Sequence, residues 1–373
     1  MRVIGIGGAG GKLAVKMDAN AVLVNVSEIE LEKVSGGSEH IVAPLLSVDG
    51  QFRGSRKNPG IGHDAYNTIQ RRLTEIVGGS MLFSSTGGGT GNGITTGIIE
   101  DIIARDQLQG SQGLPIQEKT FFCLLLPCCN MEAGEYVTNT IDFISGPLAK
   151  AIDHGCTGNV VLFSNELKFN EKIGEDAYNQ MIVDSLNVFM SIPDKNQRYK
   201  LLENHIDHED FAAYVAKPYF NHFCYFDFDP SKSFASQLEA NSNRLLLPSF
   251  DPIEALFFLE VPTGQDHTIF YDILPYFTKK NVTPSYSVVE NPSLQRPFIT
   301  VSRLFSRKPS ELIDVFNARK KELTDAKAQK SLEQYEDIQA LHVDMVDEAK
   351  SIIGSKGDKG AEILESLKRL GKL

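Results

Sequence analysis

The chain has 373 residues, 42% of them hydrophobic and 23% charged, the composition of an ordinary globular protein long enough to bury two cores. A formal net charge of −11 argues against nonspecific binding of nucleic acid or anionic membrane across the whole surface, and no apolar stretch reaches the roughly 18 residues a membrane helix needs. The five cysteines, Cys123, Cys128, Cys129, Cys156 and Cys224, have neither disulfide nor zinc spacing, so reduced thiols of a cytoplasmic protein are expected.

The first half alternates strand and helix signals, the pattern of a parallel sheet with helices on both faces. "RVIGI" reads as a short strand, followed by a glycine loop and the helix "KLAVKMDA"; "AVLVNV" is the second strand. "HDAYNTIQRRLTEIV" has helical spacing and "SMLFSS" is the next strand, followed by "TGGGTGNG", a second glycine loop, and a strong helix. "KTFFCLLLP" and "GNVVLFSN" are nearly continuous apolar runs of strand length, as expected where both sheet faces are buried. "EDAYNQMIVDSLNVFMSI" reads as a long helix that is apolar around much of its circumference and therefore buried between layers. From about residue 218, strands "HFCYFDF", "EALFFLEV", "PSYSVVE" and "RPFITVSRLF" alternate with helices "SKSFASQLEANSNRLL" and "TIFYDILPYFTKKN", giving a smaller α/β domain of about four strands.

Residues 306–373 carry 13 basic and 13 acidic residues, leaving 24 basic against 35 acidic, or −11, on the body. Leu332, Tyr335, Ile338, Leu341, Met345, Ala349 and Ile352 step by three or four and give one narrow apolar stripe. "GSKGDKG" marks a hinge before "AEILESLKRLGKL". The stripe fits a helix packed on its own domain or a tail that contacts a partner or a filament neighbour.

Five glycines fall within the seven residues Gly87–Gly93. A glycine run between a strand and a helix exposes free backbone N–H groups and the positive end of the helix dipole, which together make an anion site. A branched side chain at Gly89 would obstruct that approach. The first loop, "GIGGAGGK", holds G-x-G-x-x-G (Gly5, Gly7, Gly10) with Glu28 near the end of the second strand, the spacing of a dinucleotide-binding fingerprint. It is not a P-loop, because Leu13 follows Lys12 where Ser or Thr would hold a metal. Two glycine loops on neighbouring strands would surround a chain of phosphates from two sides, which suits a nucleoside triphosphate better than a nicotinamide cofactor.

"STGGGTGNG" resembles the GGGTG(T/S)G signature of the tubulin/FtsZ GTPases, with Asn92 where Thr or Ser is usual. "IGIGGAGGK" is similar to the first FtsZ glycine loop, with Lys12 in place of the usual Asn. "VLVNVSE" resembles the loop after the second strand. "GSRKNPGIGHDA" resembles FtsZ's "GAGANPEVGRKA", the loop that senses the terminal phosphate. "CNMEAGEY" is similar to "FNFEGKKR", with Tyr136 where FtsZ has Arg, and "FSNE" resembles "IPND". The resemblance covers about residues 1–305. It implies a Rossmann-type α/β GTPase domain over residues 1–174, a long central helix and catalytic acid loop over 175–217, a second smaller α/β domain over 218–305 and a C-terminal helical tail over 306–373. It further implies that GTP or GDP, with Mg²⁺, is bound by Gly7, Gly8, Gly10, Gly11, Lys12, Asn25, Gly87, Gly88, Gly89, Thr90, Gly91 and Asn92. Glu132 would serve the ribose, Asn165 the guanine edge, and Tyr178 would stack on the base; a second base-reading residue has no match.

No His or carboxylate is built into the glycine loops as a base. In "ENHIDHEDFAAYV", Asp207 and Asp210 match the two acids of FtsZ's "NVDFADV" loop, which in that family enters the neighbouring subunit's site; His205 stands where FtsZ has Asn. Acids at a helix start also stabilise its dipole, a sufficient reason for both residues without any catalysis, while His205, Asp207 and His208 lack a third distant ligand for a metal. The resemblance implies a GTPase that polymerises head to tail, nearest the plasmid and phage members of the TubZ and PhuZ type. Its partner would be itself, with an adaptor or DNA cargo recruited through the tail; a cell-division or cell-shape filament and an NAD-dependent enzyme are the alternatives.

Overall fold

The computed structural model describes residues 1–34, 36, 39–45, 54–110, 113–247, 251–306 and 313–333, with Glu365 and Lys368. The chain opens with β1 (Val3–Ile6), α1 (Gly7–Met17), β2 (Val22–Asn25), α2 (Glu28–Lys33) and β3 (Glu39–Val42). It continues through α3 (Pro59–Val77), β4 (Met81–Ser85), α4 (Gly89–Leu108), β5 (Phe121–Leu126), α5 (Gly134–Phe143), α6 (Ala149–Asp153) and β6 (Val160–Ser164). Next come α7 (Glu166–Asn170), α8 (Glu175–Met190), α9 (Ile192–Arg198), β7 (Lys200–Glu203) and α10 (His208–Val215). The last elements are β8 (Phe220–Asp227), α11 (Phe234–Ala240), β9 (Glu254–Val261), α12 (Leu274–Thr278), β10 (Ser285–Glu290) and β11 (Phe298–Phe305).

These strands form one sheet in the order β3-β2-β1-β4-β5-β6-β8-β11-β9-β10-β7. The six from β3 to β6 are parallel, and β8 continues the sheet through a single parallel pair, Val160 with Phe220. Beyond it β11 is antiparallel to β8 and β9, β10 is parallel to β9, and β7 closes the edge antiparallel to β10. The apolar runs alternate between two cores, as the two-residue period of a strand requires. On β5, Phe121, Cys123 and Leu125 face one core with α1 and α8, while Phe122, Leu124 and Leu126 face the other with α3 and α4. A third core of aromatic and branched residues lies in the β8–β11 part.

Three expectations are modified. The glycines expected in loops form the first turns of α1 and α4 instead. The segment "TIFYDILPYFTKKN" is a 3₁₀ turn, His267–Asp272, followed by the short α12, with Pro275 in its first turn; proline has no N–H to continue a preceding helix. The second part of the sheet has five strands rather than four, because β7 joins its edge.

Residues Met1–Asn317 make one compact unit and Ala318–Leu373 a second. In the second, residues 318–333 are helical. Of the anticipated stripe only Leu332 is described, and it is 65% exposed; Tyr335 to Ile352, the hinge and the closing segment apart from Glu365 and Lys368 lie outside the described residues. All five cysteines are buried and free. No helix among the described residues is long and apolar enough to cross a membrane.

Candidate nucleotide site

The order β3-β2-β1-β4-β5-β6 reverses direction between β1 and β4, and in open parallel sheets ligands bind at such a switch point, beyond the strands' carboxyl ends. Both glycine-rich helices start there. α1 packs on one face of the sheet through Leu13 and Ala14, and α4 on the other through Ile94 and Ile98, so their N-termini converge on the crevice from two sides. A Cβ built on Gly7, whose φ is +70°, would stand 3.1 Å from the Gly91 nitrogen. Neither helix has a side-chain cap or an acidic residue in its first turn. The first-turn N–H groups, which have no acceptor inside a helix, are thus left to a ligand, and the two dipoles favour an anion.

The cleft measures about 340 Å³, and its wall includes Gly7, Gly8, Gly87, Gly88, Gly89, Thr90, Gly91, Glu132 and Asn165 from the expected set. Further along α4, glycine serves packing. A Cβ on Gly93 would strike the Pro59 carbonyl and His63 nitrogen of α3, and one on Gly97 the Tyr66 ring. Gly89 itself faces the turn before α3, since its Cβ would lie 2.6 Å from the Asn58 nitrogen. Gly10 lets α1 approach the Phe83 carbonyl of β4, while a Cβ at Gly11 would make only an ordinary contact with Leu23.

That turn belongs to "GSRKNPGIGHDA", the segment compared above with the terminal-phosphate loop, and it contributes wall residues that the sequence reading did not name individually: Ser55, Arg56 and Lys57, the last two being the cationic side chains of the wall among the described residues. The Asn58 N–H donates to the Ser55 carbonyl at 2.9 Å, Asn58 caps α3 by accepting from the Gly60 N–H at 2.9 Å, and Pro59 opens the helix. The Thr90 hydroxyl donates to Ser55 Oγ at 3.0 Å. Glu30 also reaches the wall. "NP" ahead of an apolar-periodic run was the available signal, since it fixes where the helix begins and hence that the preceding turn lies at the helix mouth.

At the other end of the cleft, Glu132 Oε2 accepts from the Cys128 N–H at 2.6 Å and from Asn165 Nδ2 at 3.0 Å. Asn165 is 7% exposed, and its Oδ1 is buried without a hydrogen-bond partner. A buried orphan carbonyl costs free energy until a donor reaches it, and a purine base that brings N–H groups to its edge supplies one.

Six expected residues are not in the wall: Gly10 and Gly11, whose contacts are given above, and four whose side chains are placed elsewhere. Lys12 pairs with Glu175 of α8 at 2.9 Å and is not in the wall. Asn25 is buried, donating to Glu30 Oε2 at 2.9 Å and accepting from the Ser27 N–H at 3.3 Å. Asn92 is buried and gives its amide hydrogens to the Thr86 carbonyl at 2.5 Å and the Asn139 carbonyl at 3.0 Å, which ties the α4 start to α5. Tyr178 is 1% exposed within the core, donates to the Ser164 carbonyl at 2.5 Å, and has its pKa raised by burial and by the Glu132 charge; its ring offers no open face to a base.

Asp207 and Asp210 form a capping box on α10. Asp207 Oδ1 accepts from the Asp210 N–H at 2.8 Å, and Asp210 Oδ2 from the Asp207 N–H at 3.4 Å. Hydrogen bonds from the Asp210 and Glu209 backbone lower the Asp207 pKa. Both acids lie away from the cleft. The Val215 carbonyl at the end of α10 accepts from the Asn159 N–H at the start of β6, whereas Asn165 stands at that strand's other end, about 20 Å away at strand rise. Among the described residues no cluster of His, Cys, Asp and Glu could hold a metal.

No protein-family model and no curated protein matches the sequence. Solved structures do match the fold. TubZ of Bacillus thuringiensis serovar israelensis, in a GTPγS-form protofilament, has a TM-score of 0.66 at 15% identity, covering 89% of this chain and 94% of that one. CetZ from Methanosaeta thermophila gives 0.64 at 14%, covering 94% and 97%. FtsZ of M. jannaschii gives 0.59 at 18%, covering 82% and 88%. The chain has the fold of the tubulin/FtsZ superfamily.

Proposed function

We propose that this chain is a tubulin-like GTPase that assembles head to tail and hydrolyses GTP at the junction between subunits. The observation that carries the reading is the pair of uncapped, acid-free helix N-termini meeting over one cleft, with the acids of α10 outside its wall, on a helix that ends at the opposite end of β6. In this reading the first turns of α1 and α4 hold the phosphates, Glu132 Oε1 accepts from the ribose, and Asn165 Oδ1 accepts from the guanine N1–H or N2–H. The hydroxyls of Thr90, Ser55 and Ser85 and the Glu30 carboxylate give the wall hard oxygen donors, which suit Mg²⁺; bound there, the ion would offset phosphate charge. Asp207 or Asp210 of a neighbour would orient the attacking water, a contribution worth orders of magnitude in rate. Structures of TubZ in GTPγS and GDP forms are protofilaments, which supports self-association and a guanine nucleotide here.

The test compares GTP with NAD binding, then GTPase rate with protein concentration. GTP preference and a specific activity that rises steeply above an assembly threshold are expected. Preferred NAD binding would end the reading, and constant specific activity well below the threshold would remove the shared site. The NAD alternative draws on the strand order, yet Glu28, the fingerprint acid, is exposed and outside the cleft wall. Plasmid segregation or phage DNA positioning, with the 306–373 tail recruiting an adaptor, is the cellular task we favour, over a cytokinetic or cell-shape filament. Electron microscopy with GTP and with GDP would establish the polymer.

A further inference from the structure

We infer that Phe316, at the root of the C-terminal helical segment, is a positioning residue for the nucleotide cleft: its ring backs the 128–137 segment and holds Glu132 where it meets the ribose. The inference rests on the GTP reading above. Residues 128–137 divide the cleft from a small core behind it. Glu132 and Tyr136 stand in the cleft wall, whereas Cys129 and Val137 lie outside the wall and close with Ile141 around Phe316, in a cluster separate from the three main cores. Residues 313–317 are helical, and Phe316 is the one buried residue described beyond Phe305. Its neighbour Val315 is 55% exposed, and the Val315 carbonyl accepts from the Cys129 thiol at 3.9 Å.

The turn that carries Glu132 is closed on itself. The Glu132 N–H donates to the Cys128 carbonyl at 3.1 Å, and the Cys128 N–H returns to Glu132 Oε2 at 2.6 Å. These bonds set the shape of the turn and not its place, which depends on what the segment packs against. On the cleft side a Cβ on Gly87 would stand 2.8 Å from Tyr136 Cβ, so the start of α5 already touches the glycine segment and is blocked from moving toward it. Movement the other way is opposed by single hydrogen bonds, Cys129 N–H to Glu166 at 2.9 Å and Asn165 to Glu132 at 3.0 Å, and by the Phe316 ring. Val137 and Ile141 are four apart and share one face of α5, so the ring bears on the back of that helix within a turn of its start. Truncating a buried ring leaves a cavity into which the surroundings partly collapse. Collapse here carries Glu132 away from the cleft, and about 1 Å takes Oε1 out of hydrogen-bond range of a ribose hydroxyl.

The experiment measures the affinity of the full chain, Phe316→Ala and Phe316→Leu for GTP and for 2′,3′-dideoxy-GTP, which lacks both ribose hydroxyls, with melting temperature as the folding control. A hydrogen bond to a carboxylate is worth about tenfold, so the parent should prefer GTP by about that factor. Phe316→Ala should cut the preference to about threefold or less by losing GTP affinity while dideoxy-GTP affinity stays near the parent's; Phe316→Leu, which refills most of the space, should keep it. Coupling is reciprocal, so GTP should slow amide exchange at residues 313–317 of the parent more than dideoxy-GTP does, a measurement that decides the matter if Phe316→Ala fails to fold. An unchanged preference in Phe316→Ala, equal losses for the two nucleotides, or exchange at 313–317 indifferent to the ribose hydroxyls would overturn this inference alone. A parent that binds both nucleotides equally would remove Glu132 from the ribose and the inference with it, and a parent that binds neither would overturn the GTP reading itself.

Discussion

Gly89→Ala separates two reasons for a glycine at the start of α4. The added methyl would lie 2.6 Å from the Asn58 nitrogen and 2.9 Å from the Asn58 carbonyl oxygen, and would also strike Ser55 Oγ. Backbone cannot rotate away as a side chain does, so the clash is either endured or relieved by moving the 55–58 turn. Endured, it is overpacking at about 1–3 kcal/mol, and the melting temperature falls by roughly 1–2 °C per kcal/mol in a chain of this size. Relieved, the turn carries Arg56 and Lys57 off the cleft, and the same 1–3 kcal/mol appears as a roughly 5- to 150-fold loss of GTP affinity. Gly88→Ala is the control. Its φ of −76° and ψ of 156° admit any residue, and its methyl would meet only the rotatable Ser85 hydroxyl at 2.9 Å, so affinity and melting should stay close to the parent. Calorimetric titration with GTP beside thermal melts reads both quantities. Equal GTP loss in the two variants at unchanged melting temperatures would refute the argument, since the side chain itself would then be blocking the phosphates.

Asp210→Asn keeps an oxygen acceptor for the Asp207 N–H but removes the charge, so GTP binding and assembly should persist while phosphate release falls at least tenfold, read by light scattering with a phosphate assay; parental turnover would remove Asp210 from the mechanism. His222 is buried with its pKa pushed down to about 3 by burial and by the Arg303 charge. Between that value and the ordinary 6.5 the unfolded chain binds the proton and the folded chain does not, so stability falls with acidification, by up to about 1.4 kcal/mol per pH unit. His222→Gln, which keeps an acceptor for Arg303, should flatten that slope in denaturant titrations from pH 6.5 to 4.5, and an unchanged slope would count against the assignment. Deleting residues 354–373 should leave GTP affinity unaltered and shift the critical concentration or filament form; an identical polymer with identical partners would make the tail mere packing.

Strands buried on both faces were legible because every residue of β1, β5 and β6 is buried. The edges were not. β3, "EHIV", and β7, "KLLE", have a single buried residue between them, the others being exposed or half-buried, and an edge strand needs no apolar run. In the cleft, backbone-donating positions were legible because glycine before a helix has few other reasons to recur. Side chains were less so, since an aligned position fixes the Cα and not the rotamer: Lys12 turns to Glu175, and Asn92 spends its amide on Thr86 and Asn139. The segment holding Arg56 and Lys57 was placed by its resemblance to the terminal-phosphate loop, but its left-handed backbone was hidden, because that conformation contradicts the residues that adopt it.

The two ends of α8 are held by forces of different strength, and this bears on how the cleft and the acids of α10 are linked. At sixteen residues the helix is about 24 Å long. Its first turn is tied to α1 by Lys12–Glu175 at 2.9 Å and Lys16–Asp176 at 2.8 Å, pairs with at least one well-exposed partner and so each worth about 1 kcal/mol or less. Near its end Phe189 stacks on Phe223 at 4.9 Å and meets Phe211 of α10 at 5.1 Å, all buried. Losing one such ring costs about 3–5 kcal/mol, several times the ion pairs. Tyr178, one turn into the helix, is the strong attachment at the cleft end, through its buried ring and its bond to the Ser164 carbonyl. That carbonyl precedes Asn165, the residue with the orphan acceptor. The strongest packing between cleft and acids therefore runs from Asn165 through Tyr178 and Phe189 to Phe211 and the capping box, and the Lys12 and Lys16 pairs are peripheral to it.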